Sequence, residues 1–338
     1  MRTEDFDYRL PEKLIAQHPP KVRGSSRLLV LHKQTGTTEH YKYPNLYKFL
    51  HEGDVVVLNN TKVIKARLLA QNKDDKYREL LLLEQHGHKF GIHTHKVLYR
   101  GKIHVNEILT IHGHIVTVKE VNDGGIAVVT SSENLLELAD NFGLVPLPPY
   151  MKREATAEDI ARYQTVFAQK AGSVAAPTAS LNFTAALEQQ LKAQGVKIVY
   201  LTLHVGLGTF LPIRVDDVTK HKMHSEYFEI PKETVEAIQN AKSVLAVGTT
   251  VARTLEYCGN QILHEKPQDL SGEADIFIYP GYEFKVVDKL ITNFHAPRTT
   301  VLMLTAAFAG WKNLEKAYKE ATDEEYAFLS YGDSMLIY

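Results

Sequence analysis

"VKIVYLTLHVGLGT", residues 196–209, is the stretch on which the fold turns. Residues 196–203 are nearly all apolar or β-branched, with no regular polar alternation. Such a run reads as a strand buried on both faces, as in parallel sheets packed between helices. The helix-spaced "TAALEQQLKAQG" (184–195) precedes it, and Gly195 supplies the stop. The strand ends on His204, and Gly206, Gly208, Thr209 and Phe210 follow. Two readings of that end stand open: a ligand loop, or a tight turn beside a core histidine.

The same alternation continues towards the C-terminus. "KETVEAIQNAK" (232–242) has helical spacing and "SVLAVG" (243–248) reads as a strand. "TTVARTLEYCG" (249–259) is a helix, "ADIFIYPG" (274–281) and "KLITNF" (289–294) are strands, and "RTTVLMLTAAFAG" (298–310) is a helix. "EDIARYQTVFAQ" (158–169) is also helix-spaced. Towards the N-terminus a short helix is expected from Pro11, then strands at "SRLLVLHK" (26–33) and "DVVVLNN" (54–60). Strands alternating with helices predict an α/β fold, a barrel-like or mixed-sheet main domain with mostly parallel pairing.

From Lys65 the texture changes. Six short strand-like runs, "KARLLAQ", "YRELLLLEQ", "KFGIHTHKVLYRG", "HVNEILTIHG", "HIVTVKEV" and "GGIAVVTS", follow one another with turn residues and no helix between them. Such spacing predicts a small β-barrel or sandwich. "LVPLPPYMKR" (144–153) closes the region as a stiff linker. The expected organisation is a discontinuous α/β domain, residues 1–64 and 148–338, with an all-β barrel inserted over 65–147.

Bulk composition narrows the function classes. The 338 residues are 44% hydrophobic and 23% charged, with a net charge of −1, so no global field marks a nucleic-acid binder and RNA binding would need a local patch. The single cysteine, Cys258, leaves no intramolecular disulfide and fits a reducing compartment. No apolar stretch is long enough to span a membrane, and the charged N-terminus has no signal core. A cytoplasmic monomer is expected.

Three units share one pattern: apolar strand, polar knot, then loop or helix. They are "LTLHVGLGT", "LAVGTTVARTLE" and "LITNFHAPRTTVLML"; a fourth knot, "GSVAAPTASLNFT" (172–184), precedes a helix. Ligands of open α/β sheets bind at the carboxyl ends of the strands, so these knots are expected at one site. His204, Gly206, Gly208, Thr209, Thr249 and Arg253 should line one cleft. In "VGTTVAR" the helix N-terminus with Gly248, Thr249, Thr250 and Arg253 suits a carboxylate or phosphate, against plain capping. No P-loop lysine and no G-x-G-x-x-G before a helix is present. "HKMHSE" (221–226) brings His221, His224 and Glu226 close in sequence, which suits either a metal or acid–base chemistry. Without H-E-x-x-H, no metal is expected.

The motifs "DFDYRLPEKLIAQHP", "GDVVVLNNTKVIKARL", "PLPPYMKR", "GSVAAPTASLNFT", "LHVGLGTFLPI", "HKMHSE", "AVGTTVARTLE", "KLITNFHAPRTTVLML" and "SYGDSMLI" occur in this order. Together they resemble the S-adenosylmethionine:tRNA ribosyltransferase-isomerases of queuosine biosynthesis. The resemblance implies a partly barrel-like α/β domain carrying an inserted β-barrel. It also implies that S-adenosylmethionine donates a ribosyl unit to an aminomethyl-deazaguanine base in a tRNA anticodon, giving epoxyqueuosine with release of adenine and methionine. Under that chemistry His204, His224 and Glu226 are the candidate bases, with His295 next. Phe210, Tyr282 and Phe294 offer faces to the sulfonium cation. Asn59, Pro177, Thr178, Asn182, Gly206, Gly208, Thr209, Gly248, Thr249, Thr250, Arg253 and Asn293 are expected around the substrate. Arg23, Arg27, Lys62, Arg67, Lys152 and Arg298 are candidate phosphate contacts. The sequence departs from the family pattern at Asn60 and Lys62 (usually Asp and Arg), at Ser180 and Asn182 (Gly and His), and at Ala327 (Arg). These departures leave a second reading open, a divergent tRNA-binding relative with weakened or altered activity.

Overall fold

The computed structural model describes all residues except 84–92, 207–212, 214 and 224. In chain order the strands are β1 (Arg27–Leu31), β2 (Thr38–Lys42), β3 (Asp54–Asn59), β4 (Thr61–Val63), β5 (Arg67–Asn72), β6 (Tyr77–Leu82), β7 (Thr94–Arg100), β8 (Ile108–Ile111), β9 (His114–Asn122), β10 (Ile126–Ser131), β11 (Lys170–Ser173), β12 (Lys197–Leu203), β13 (Glu226–Ile230), β14 (Ser243–Val247), β15 (Leu270–Ala274), β16 (Lys289–Asn293) and β17 (Ser334–Ile337). The helices are α1 (Leu135–Phe142), α2 (Ala157–Arg162), α3 (Ala185–Ala193), α4 (Lys232–Gln239), α5 (Thr249–Tyr257), α6 (Gly259–His264), α7 (Thr300–Ala309) and α8 (Trp311–Asp323).

Among the described residues, nine strands form one mixed sheet in the order β15-β13-β12-β3-β14-β16-β17-β1-β2. Its centre, β12-β3-β14-β16, is parallel throughout. Outside these four, β13, β15 and β17 bring antiparallel pairings. The continuous apolar runs are explained by burial on both faces. Leu29, Leu31, Val55, Val57, Leu290 and Ile337 enter a core with α4, α5, α7 and α8. Their neighbours Leu28, Val30, Val56, Leu58, Ile291 and Leu336 enter a second core with α3 and the 3-10 turn Tyr43–Phe49. Alternate side chains of one strand thus fill two hydrophobic layers, and the middle of each strand is a continuous apolar run.

β5 to β10 close into an antiparallel barrel in the order β10-β7-β6-β5-β8-β9. The six strand-like runs of the sequence become these six strands. Leu68, Ala70, Leu80, Val97, Leu109, Val116 and Val118 fill the interior, and Leu135, Leu138 and Ala139 of α1 pack onto it. Here alternation holds because only one face is buried. The chain enters at Arg67 and leaves at Leu144, where the two backbones exchange hydrogen bonds of 3.2 and 2.8 Å.

Some local expectations shift. "ADIFIYPG" is not a strand: the extended segment is β15, just before it, where "LSGEA" pairs with β13. The apolar residues of 276–279 instead pack against the main core as irregular chain. The N-terminal helix is a single 3-10 turn, Glu12–Leu14, and the helix in 158–169 stops at Arg162. The helices α1, α6 and α8 and the strands β2, β4, β11, β13 and β17 were not expected from the sequence.

Candidate active site

The four parallel strands end at one edge of the sheet, and three of them lead into sequence knots. β3 ends in Asn59 and Thr61 follows; β12 leads into His204; β14 leads into Gly248; β16 ends in Asn293. A cleft opens at this edge. Pro177 and Thr178 line it from the 172–184 knot, Gly248, Thr249 and Thr250 from the start of α5, and Asn293 and His295 from the end of β16. An adjoining pocket shares Thr249 and Thr250 and reaches Arg253.

Hydrogen bonds fix the described residues at these strand ends. The Asn59 side chain brackets β3 and β12: its Nδ2 donates to Leu203 O at 2.9 Å, and its Oδ1 accepts from the N–H groups of Thr61 (3.0 Å) and Leu203 (3.1 Å). Thr61 Oγ1 in turn meets His204 Nδ1 at 2.8 Å. The imidazole stacks on Tyr227 at a centroid distance of 6.2 Å. Below it lies Gly172, where a Cβ would sit 2.7 Å from Nε2. Only a glycine admits the ring there, and its φ of +152° also favours glycine. Val205, next in the chain, lines the cleft, but against expectation His204 and Gly206 are not among its lining residues.

Glu226 is 2% exposed and Arg253 is 4% exposed, and the two form an ion pair. The carboxylate also accepts from the Gly206 N–H at 2.9 Å. Glu226 thus ties the backbone of Gly206 to α5. Such a pair is costly to break from one side, because the survivor is a buried uncompensated charge.

His295 faces the cleft with its Nε2 2.6 Å from Thr292 Oγ1. Burial pushes its pKa down to about 3, so the ring is neutral at pH 7. Its backbone is clamped by the Tyr8 and Tyr318 hydroxyls. Asn293 is 2% exposed, and Thr178 Oγ1 donates to its Oδ1 at 2.8 Å.

Other expected site residues are drawn into the scaffold. Asn182 does not line the cleft: its Oδ1 accepts from Ser26 Oγ at 2.8 Å and its Nδ2 donates to Gly332 O and Ser334 Oγ, both at 3.2 Å. Phe294 is fully buried against Tyr318, Tyr326 and Phe328. The Tyr282 hydroxyl donates to Glu256 at 3.1 Å. Arg27 lies over the Tyr326 ring at 3.9 Å and donates to Glu324 O at 2.8 Å. Arg67 joins Glu79 (3.0 Å) and Glu154 (2.5 Å), and Arg298 pairs with Asp7 at 3.6 Å. Arg23 donates to Leu181 O at 3.0 Å and Lys152 pairs with Glu12. Gly208, Thr209, Phe210 and His224 lie outside the described residues. At the departures, Asn60 accepts from Thr202 Oγ1 at 2.6 Å, and the Ala327 N–H donates to Asp333 at 2.8 Å.

The site also has residues that the sequence did not single out. Tyr150, from "PLPPY", bonds Ser330, from "SYGD", and both line the cleft with Ala296, Thr299 and Leu329. The motifs were visible, but nothing in them said that segments 180 residues apart would meet. Among the described residues no group of three or more His, Cys, Asp or Glu is placed to hold a metal, and no helix is long and apolar enough to cross a membrane.

Residues 3–337 match the family described as "Queuosine biosynthesis protein". The chain belongs to the queuosine biosynthesis protein family. It is 53% identical to the S-adenosylmethionine:tRNA ribosyltransferase-isomerase of Chlorobium chlorochromatii and 45% identical to that of Francisella tularensis subsp. mediasiatica, in each case over the full length of both chains. It is also similar to a crystal structure of S-adenosylmethionine tRNA ribosyltransferase from Thermotoga maritima. The identity is 34% and the TM-score 0.57, covering 99% of this chain and 100% of that one. As a member of this family the protein is an enzyme of queuosine biosynthesis, a ribosyltransferase-isomerase.

Proposed function

We propose that the strand-end cleft binds S-adenosylmethionine as ribosyl donor and that the acceptor is the aminomethyl-deazaguanine base of a tRNA in the cytoplasm. The observation that carries this reading is the convergence of three parallel strand ends, through Val205, Gly248 and Asn293, together with the 172–184 knot, on one cleft in a chain of this family. The sulfonium acidifies the ribose methylene beside it, so a base must take that proton. His204 is assigned this task, its Nδ1 held by Thr61 and its Nε2 receiving the proton. The C5′ electron pair then forms C4′=C5′ as C4′–O4′ breaks, O4′ becomes a carbonyl at C1′, and adenine leaves with the electron pair of its glycosidic bond and takes up a proton. Glu226, committed to Arg253 and Gly206, holds the backbone at Gly206 rather than acting as a base.

The barrel, taken as an inserted domain over 65–147, supplies one wall of a groove of about 580 Å³ that we assign to RNA. Pro146, Pro148, Pro149 and Met151 give it an apolar floor, and Arg67, Arg100, Lys152 and Arg153 line it beside Glu79 and Glu154, with Arg153 held by Asp159 and Lys152 by Glu12. Cations along an open groove suit contacts to the phosphates of an RNA strand. Tyr150 lines the cleft and Met151 the groove, so the two adjoin.

The test is adenine release from S-adenosylmethionine, measured with and without tRNA bearing the precursor base. Release should depend on that tRNA, and its affinity should fall with salt by a log–log slope of about −0.7 to −0.9 per neutralised phosphate. Donor affinity should stay nearly flat. Release that ignores the tRNA, or tRNA affinity indifferent to salt, would refute the assignment.

A further inference from the structure

We infer that the N-terminus of α5 and the side-chain amide of Asn293 together receive the amino-acid carboxylate of the donor. The inference rests on the reading of the cleft as the donor site. α5 is nine residues long and begins after Gly248, which sits at φ +109° and has no side chain to cap the helix. The Ala252 N–H is bonded to Gly248 O at 3.1 Å, leaving the N–H groups of residues 249–251 as the orphan donors of the first turn. Gly248, Thr249 and Thr250 line the cleft, so this end of the helix, with its partial positive charge, faces it.

Asn293 supplies an independent pointer. Its amide oxygen is occupied by Thr178 Oγ1, and its Nδ2 is buried without a hydrogen-bond partner among the described residues. A buried donor without an acceptor is destabilising, and native proteins keep one where a ligand completes it. Asn293 lines the same cleft as the α5 terminus. No Asp, Glu, Lys or Arg is among the residues lining it, so an anion there meets only dipoles and amide donors. Arg253, the obvious cation by sequence, is paired with Glu226 in the adjoining pocket. The donor's only anionic group is its carboxylate. A tRNA phosphate shares the same chemistry, and the experiment separates the two.

The experiment compares S-adenosylmethionine with its decarboxylated analogue, in donor binding and in adenine release with saturating precursor tRNA. Wild-type enzyme should prefer the carboxylated donor by fiftyfold or more in kcat/KM. Asn293→Ala should cost ten- to fiftyfold with that donor and less than threefold with the analogue. Asn293→Asp keeps the shape but sets an acid against the carboxylate. It should cost more with S-adenosylmethionine while sparing the analogue, and it serves if the alanine variant does not fold. Thr178→Val, which frees the amide to rotate, should give a smaller loss confined to the carboxylated donor. Equal losses with both donors would overturn the inference. So would a defect confined to the KM for tRNA, which would assign the site to a phosphate. Wild-type enzyme releasing no adenine would overturn the reading of the cleft itself, a separate outcome.

Discussion

In the barrel each strand runs against its neighbours, so either rim receives strand starts and strand ends by turns. In the main sheet four adjacent strands run the same way, and all four carboxyl ends meet at one edge. Both regions hold histidines, arginines and carboxylates. In the main sheet the strand direction brings Asn293, His295, Gly248 and Thr249 into one cleft and seats His204 at the same edge. In the barrel His114 pairs with Glu133 on the surface and His95 is sealed into the wall, 2% exposed. Parallel pairing under two helical layers concentrates strand ends, whereas a closed antiparallel barrel disperses them.

The widest separation between the regions is expected for their ion pairs. Arg253→Ala leaves Glu226 charged and buried, and should cost about 3–5 kcal/mol in urea unfolding. Arg67→Ala removes a pair with Glu154, whose side chain is 74% exposed, and should cost about 1 kcal/mol or less from that contact. Similar losses would show that burial at the strand ends is not what distinguishes the site. Next are the histidines. His204→Ala should lower single-turnover adenine release about a hundredfold or more, while His95→Leu should change it less than threefold. A silent His204→Ala would sink its assignment as the base.

A third expectation joins the regions. Burial lowers the pKa of His295 to about 3 and that of His95 to about 4. Below pH 6.5 the unfolded chain takes up protons that these folded rings refuse, so stability declines with acidification until pH reaches the folded values. Between pH 7 and pH 5 each group should remove about 2 kcal/mol, read from urea midpoints at the two pH values. His95→Leu and His295→Asn should each shrink that difference; variants with the wild-type pH dependence would contradict it. The smallest effect is expected at Asn182→His. Both ends of the asparagine amide bind scaffold groups, so turnover per folded molecule should change less than tenfold, about 1.4 kcal/mol in barrier. A hundredfold gain would return position 182 to the chemistry.

Much of the architecture was legible. The six barrel strands could be read because one buried face forces alternation between turn residues. The parallel strands could be read because two buried faces forbid it. β15 was not legible, since "LSGEA" has almost no apolar content and is extended only because β13 lies beside it. α8 did carry a signal, with Leu314, Ala317, Tyr318 and Ala321 spaced along one face.

By itself the sequence determined which residue types sit at strand ends, because glycine, threonine, asparagine and histidine interrupt apolar runs at fixed points in the chain. It also determined the family, through motifs from one end to the other. Tertiary structure decided which of those residues face a ligand. Asn293 and Phe294 are adjacent, yet one lines the cleft and the other fills the aromatic core. Asn182 and Thr178 belong to one knot, yet Asn182 ties Ser26 to Ser334 while Thr178 turns inward to Asn293. The physical reason is that a side chain's direction depends on backbone torsion and on what packs against it. Here Arg253 is paired by Glu226, 27 positions away, and Tyr150 is met by Ser330, 180 positions away. No local pattern encodes partners at that distance, because only the folded sheet brings them within reach.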